Sequence, residues 1–135
     1  MKIETKGTFT DITDLINEEL FHDSGNPATV LVFSRHTTAG IAILENEKLL
    51  KADYEHFLNR LAPDNGFYAH NMIDLRDVPP DERRNGDAHI KALFFQPSML
   101  IPVDLTGNLD LGKWQRVFLV DLDAPREREI IVRLI

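Results

Sequence analysis

Short apolar runs crowd the second half of this chain, helical spacing occurs in only two places, and no regular βαβ alternation links them. That pattern excludes Rossmann and TIM-barrel architectures, which need a helix after nearly every strand. It predicts an α+β fold: a single sandwich-like domain over residues 1–135, with mostly antiparallel sheets and two main helices. The expected strands are Ile3 to Thr10, Thr29 to Phe33, Ile41 to Leu44, Ile90 to Phe95, Met99 to Val103, Trp114 to Leu122 and Ile130 to Ile135. Thr29 to Phe33 is apolar at successive positions, as in a strand covered on both faces. Turn signals at Gln96-Pro97-Ser98, Thr106-Gly107-Asn108 and Asp123-Ala124-Pro125-Arg126 separate the later strands.

The first helix follows a cap at Asp11, carries Ile12, Leu15, Ile16 and Leu20 on one face, and stops near Ser24-Gly25-Asn26-Pro27. The second is expected to be capped by Asn46 and to bury Leu50, Tyr54, Phe57, Leu58 and Leu61 before Pro63. The stretch from Asp64 to Asp87 lacks clear periodicity, and a loop of that length in a small domain commonly carries function.

Charge and composition narrow the function. The net charge is −7 and no basic stripe is present. Arg126, Arg128 and Arg133 alternate with Glu127 and Glu129, which disfavours nucleic acid as a partner. The chain has no cysteine, so disulfides, thiolate catalysis and cysteine-rich zinc sites are excluded. No apolar run approaches the roughly 18–20 residues a membrane span needs, so no membrane role is expected and a cytoplasmic location is the default.

Five histidines occur. His22 and His56 fall on expected helices and read as ordinary surface or boundary residues. His36, His70 and His89 sit at loop or strand boundaries among polar neighbours. Three imidazoles could bind a divalent metal, zinc or magnesium, and leave a coordination position open for substrate; hydrogen bonding within loops is the plainer alternative. Thr37 and Thr38 offer hydroxyls for a phosphate, or simply suit a strand end. Glu47 could act as a general base or support a metal ligand, although dipole complementarity at a helix start explains it as well. Trp114-Gln115 is either a pocket wall or core. Glycine-rich phosphate loops and the Gly-x-Ser-x-Gly elbow are absent.

Taken together, these segments resemble the YjbQ-like family of secondary thiamine-phosphate synthases. The resemblance is carried by His36-Thr37-Thr38-Ala39-Gly40-Ile41, Glu45-Asn46-Glu47, His70-Asn71, Asp87-Ala88-His89-Ile90 and Ile101-Pro102-Val103. It continues through Leu111-Gly112-Lys113-Trp114-Gln115 and Asp123-Ala124-Pro125-Arg126. The chain departs at Gln96-Pro97-Ser98, where the family has Gly-Ser-Ser, and at Ala124, where it has glycine. The resemblance implies a homotrimer with a histidine-lined pocket. It also implies an activity that joins a pyrimidine diphosphate to a thiazole phosphate with release of pyrophosphate, alongside a separate principal role.

The expected site therefore has His36, His70 and His89 as metal ligands or acid and base, with Glu47 and Asp87 orienting them. Thr37, Thr38, Ser98 and Arg126 would contact phosphate, with Asn71, Trp114 and Gln115 completing the substrate pocket. The other function considered is a non-catalytic protein that holds a metal or a phosphorylated metabolite.

Overall fold

The computed structural model describes residues 1–20 and 28–135. His22 and the expected helix stop at residues 24–27 lie outside the described residues. The remainder forms a mixed α+β single domain with two antiparallel sheets. One sheet has the order β1-β7-β3-β5, from Lys2–Glu4, Glu127–Leu134, Ala28–Ser34 and Ser98–Val103. The other has the order β2-β6-β4, from Phe9–Asp11, Gln115–Asp121 and Ala39–Glu45.

The two sheets share one core. Val30, Val32, Ile101 and Ile130 from the first sheet meet Ile41, Val117 and Leu119 from the second, all essentially buried. Helix α1 (Thr13–Leu20) seals it with Ile16 and Leu20, joined by Ile12 just before the helix. Helix α2 (Lys48–Leu61) lies over the outer face of the second sheet, where Tyr54 stacks near Phe9 and Phe9 meets Phe118 edge-on.

Two covered faces therefore belong to β6, in which Val117 through Asp121 are all buried. In β3 Val30, Val32 and Ser34 are enclosed, while Leu31 and Phe33 between them are half-buried. This corrects the expectation that β3 is the doubly covered strand, because α2 packs on the other sheet.

Three further corrections concern local structure. Ile3 to Thr10 is two short strands in different sheets. Ile90 to Phe95 is not a strand: helix α3 spans Gly86–Ala92, with Asp87 and Lys91 paired one turn apart. That makes three α-helices among the described residues. The cap of α2 is Glu47 rather than Asn46. Its carboxylate accepts from the amides of Leu49 and Leu50 at 2.9 and 2.6 Å, satisfying donors the helix leaves free. The turn at Thr106-Gly107-Asn108 forms as expected, with Gly107 at φ 85°, a conformation that favours glycine.

Candidate functional site

Strand direction decides which site residues can meet. Ala39 pairs with Asp121 at one end of the β4–β6 ladder, and Glu45 pairs with Gln115 at the other. Six residue steps separate these ends, about 20 Å at the usual strand rise. His36, Thr37 and Thr38 precede β4 at the first end; Glu47, Trp114 and Gln115 cluster at the second. Within one chain, Glu47 cannot orient His36.

At the first end, His36 and Thr37 line a cleft of about 480 Å³ with Phe33, Arg35, Phe95 and Pro97. Ser98 opens β5 opposite Phe33, on the same side of the sheet ladder. The His36 Nε2 accepts the Glu129 amide hydrogen at 2.8 Å. A neutral imidazole that accepts at Nε2 carries its proton on Nδ1, so while this bond holds it has no lone pair left for a metal. Burial, followed by the charges of Arg128 and Arg126, holds the imidazole below its ordinary pKa, against the opposing pull of Asp121 and Glu129.

Thr38 is buried and accepts from Arg128 Nη2 at 3.0 Å. Arg128 in turn pairs with Asp121, which also accepts from Thr5. Thr38 is therefore committed to an interior network, whereas Thr37 is exposed.

His70 and His89 come together. Their rings lie edge to face with centroids 4.5 Å apart. His70 sits in a 3₁₀ turn (Ala69–Asn71), and His89 is on the second turn of α3. Asn71 holds the two segments together by accepting the Gly86 amide hydrogen at 2.9 Å. Gly86 is needed there, because a Cβ would lie 2.5 Å from Tyr68 Cβ. Burial, then the His70 and Arg76 charges, push His89 below the ordinary imidazole pKa, and Asp123 and Asp87 oppose them. Asp87 itself is hydrogen-bonded to Lys91, 3.0 Å away, rather than to either histidine.

Asp123, which sequence reasoning did not single out, joins these parts. Its carboxylate takes Arg126 at 2.8 Å, Asn85 at 2.9 Å and Arg83 at 3.1 Å. Arg76 meanwhile donates to the His70 carbonyl at 3.0 Å. The Asp123-Ala124-Pro125-Arg126 block was visible as a turn, but nothing local marks its first residue as a hub. Among the described residues, no three histidines, aspartates or glutamates are grouped to hold a metal ion.

The whole chain, residues 1–135, matches the family model described as UPF0047 protein YjbQ-like. The chain belongs to the YjbQ-like UPF0047 family. A UPF0047 protein of Methanothermobacter thermautotrophicus is 38% identical over 90% of this chain and 78% of its own length. One from Archaeoglobus fulgidus is 34% identical over 98% and 95%. A YjbQ/UPF0047 family crystal structure from Clostridium acetobutylicum superposes with a TM-score of 0.83 at 30% identity, covering 100% of this chain and 98% of that one. A hypothetical protein from Aeropyrum pernix gives 0.85 at 31% identity, covering 100% and 95%. YjbQ-like membership thus extends to the fold as well as the sequence. No helix of this YjbQ-like chain is long and apolar enough to cross a membrane, among the described residues.

Proposed function

We propose that this protein is a small-molecule enzyme acting on phosphorylated substrates, with a thiamine-phosphate synthase-like transfer as one of its activities. The observation that carries this reading is the His70–His89 pair set beside Asp123 with its arginines. In the transfer, the carbon–oxygen bond of the pyrimidine diphosphate breaks with its electron pair leaving on pyrophosphate. The thiazole nitrogen lone pair then forms the new carbon–nitrogen bond. Guanidinium groups suit the charge that grows on the departing pyrophosphate, and stabilising such charge is a large catalytic effect. The His70 and His89 rings would hydrogen-bond to substrate. Arg126 and the exposed Thr37 remain our candidates for phosphate contacts from the expected set, with Asn71 holding the His70 segment.

A divalent metal fits this donor set only in part. His70 and His89 supply two ligands, and His36 is engaged by the Glu129 amide. Zinc or magnesium would therefore need further ligands from substrate or from another copy.

A homotrimer is part of the proposal. Trp114 is 64% exposed and lies far along β6 from His36, so it could line a pocket only across a subunit boundary. Leu93 and Phe94, 79% and 57% exposed after α3, supply apolar surface for such an interface.

Incubation of purified protein with both phosphorylated thiamine precursors, with and without chelator, tests the enzyme reading. Saturable product formation that His89→Ala abolishes supports it. Ligand binding with no turnover would favour the alternative, a binding protein for phosphorylated metabolites.

A further inference from the structure

The segment between the 3₁₀ turns, Ala69–Asn71 and Ile73–Leu75, and α3 supplies an arginine that the family motifs do not explain. Arg83 Nη2 lies 3.1 Å from Asp123 Oδ1 and donates to the Asp123 carbonyl at 3.4 Å. Arg126 Nη1 takes the other carboxylate oxygen at 2.8 Å. Asn85 adds its Nδ2 to the same oxygen at 2.9 Å, although this leaves its own Oδ1 buried without a partner. Asp123 is thus a largely buried post to which two guanidinium groups are tied, one at each carboxylate oxygen.

As a mere staple for the loop, this is an odd arrangement. One carboxylate neutralises one cation, so the pair of arginines keeps a surplus positive charge. Each guanidinium carries five N–H donors in a planar fork. Among the described residues, the side chains of Arg83 and Arg126 bond only to Asp123, which leaves donors on both forks uncommitted. Both side chains are also partly open to solvent. Anchoring reduces the freedom an arginine loses on binding, so two pre-set forks around one post suit a multi-oxygen anion. Asn85, which donates to Asp123 and whose carbonyl accepts the His89 amide hydrogen at 3.2 Å, places this surface beside the imidazole pair.

We propose that Arg83 and Arg126, both held by Asp123, form an oxyanion subsite beside His70 and His89 that takes a diphosphate or phosphate group. The proposal rests on the phosphorylated-substrate reading above and names Arg83 as its unassigned element. Arg83 binds substrate; Asp123 is a positioning residue that fixes the spacing of the two forks.

Isothermal titration calorimetry with inorganic pyrophosphate at low ionic strength provides the test, with NMR amide shifts as a second readout. Wild-type protein should bind saturably, shifting amides around residues 83–89 and 123–126. Arg83→Gln and Arg126→Gln should each weaken binding about tenfold, and Arg83→Lys should recover only part of it, having charge but no fork. Arg60→Gln, on α2, controls for bulk charge and should change little. Thermal melts confirm that each variant is folded. Pyrophosphate binding left within about twofold by Arg83→Gln would overturn the subsite alone. No binding of pyrophosphate or of either phosphorylated precursor to wild-type protein would overturn both the subsite and the function it rests on.

Discussion

Arg128 on β7 and Asp121 on β6 form an ion pair inside the protein, tying one sheet to the other where both side chains are essentially sealed from solvent. Thr5 and the Asp123 amide supply further hydrogen bonds to Asp121, and Thr38 takes one from Arg128. The pair sits directly behind the loop that bears His36 and the turn that bears Asp123. It therefore fixes the floor on which both halves of the candidate site stand.

Removing one partner strands a buried charge. Asp121→Ala should cost roughly 3–5 kcal/mol, measured by urea unfolding at neutral pH. The double variant Asp121→Leu/Arg128→Met should recover much of that loss, since it leaves no charge behind. A single variant as stable as wild type would show that the pair is solvated in solution.

The same pair sets an acid limit. Burial pushes the Asp121 carboxyl upward, but hydrogen bonds from Arg128, Thr5 and the Asp123 amide outweigh it and hold the group below the ordinary value of 3.8. Its contribution is present above that value, and is lost as pH falls from there through the folded pKa, where the unfolded chain takes up protons first. Denaturation midpoints measured from pH 6 down to pH 2 should fall more steeply for wild type than for the double variant.

His36 and His89 should titrate below the ordinary imidazole value of 6.5. As pH drops below that value, the unfolded chain protonates first and these two sites subtract from stability. Two-dimensional NMR of the ring nitrogens can follow each group, with Nε2 of His36 reporting the acceptor role toward the Glu129 amide. Midpoints at or above 6.5 would contradict the burial described for both rings.

Gly86→Ala should cost about 1–3 kcal/mol, because the new methyl must displace Tyr68 or shift α3. It should also widen the gap between His89 and His70, visible as lost ring-current shifts between the two imidazoles. A variant with wild-type stability and unchanged shifts would mean that the Tyr68 side chain yields easily.

Glu47→Ala should fray α2 and lower the melting temperature, and Glu47→Ser should restore much of it, since serine caps a helix well. Circular dichroism melts suffice to compare the three proteins. Equal melting temperatures would remove the capping role.

Much of the framework was legible in the sequence. The spacing of Ile12, Ile16 and Leu20, and the dense apolar run of β6, declare their elements because many residues repeat one message. Ile90 to Phe95 misled because a short apolar run suits strand and helix equally; the Asp87–Lys91 spacing was the helical signal. The expected site grouped three histidines; in the structure the His70 and His89 rings meet, His36 is held by the Glu129 amide, and Asp87, expected to orient them, turns to Lys91. Glu47, Trp114 and Gln115 lie at the wrong end of a strand ladder, which only register could reveal. Asp123 and Arg83 escaped notice because a hub is defined by partners distant along the chain.

The Asn71–Gly86 contact has an evolutionary consequence. It closes residues 72–85 into a loop in which Arg76, Arg83 and Asn85 are tied to the His70 carbonyl and to Asp123, so the remaining positions of that stretch can exchange residues while the imidazole pair stays in place. Novelty in ligand choice can then accumulate between fixed posts, and variation among relatives should concentrate in that interval rather than at its ends.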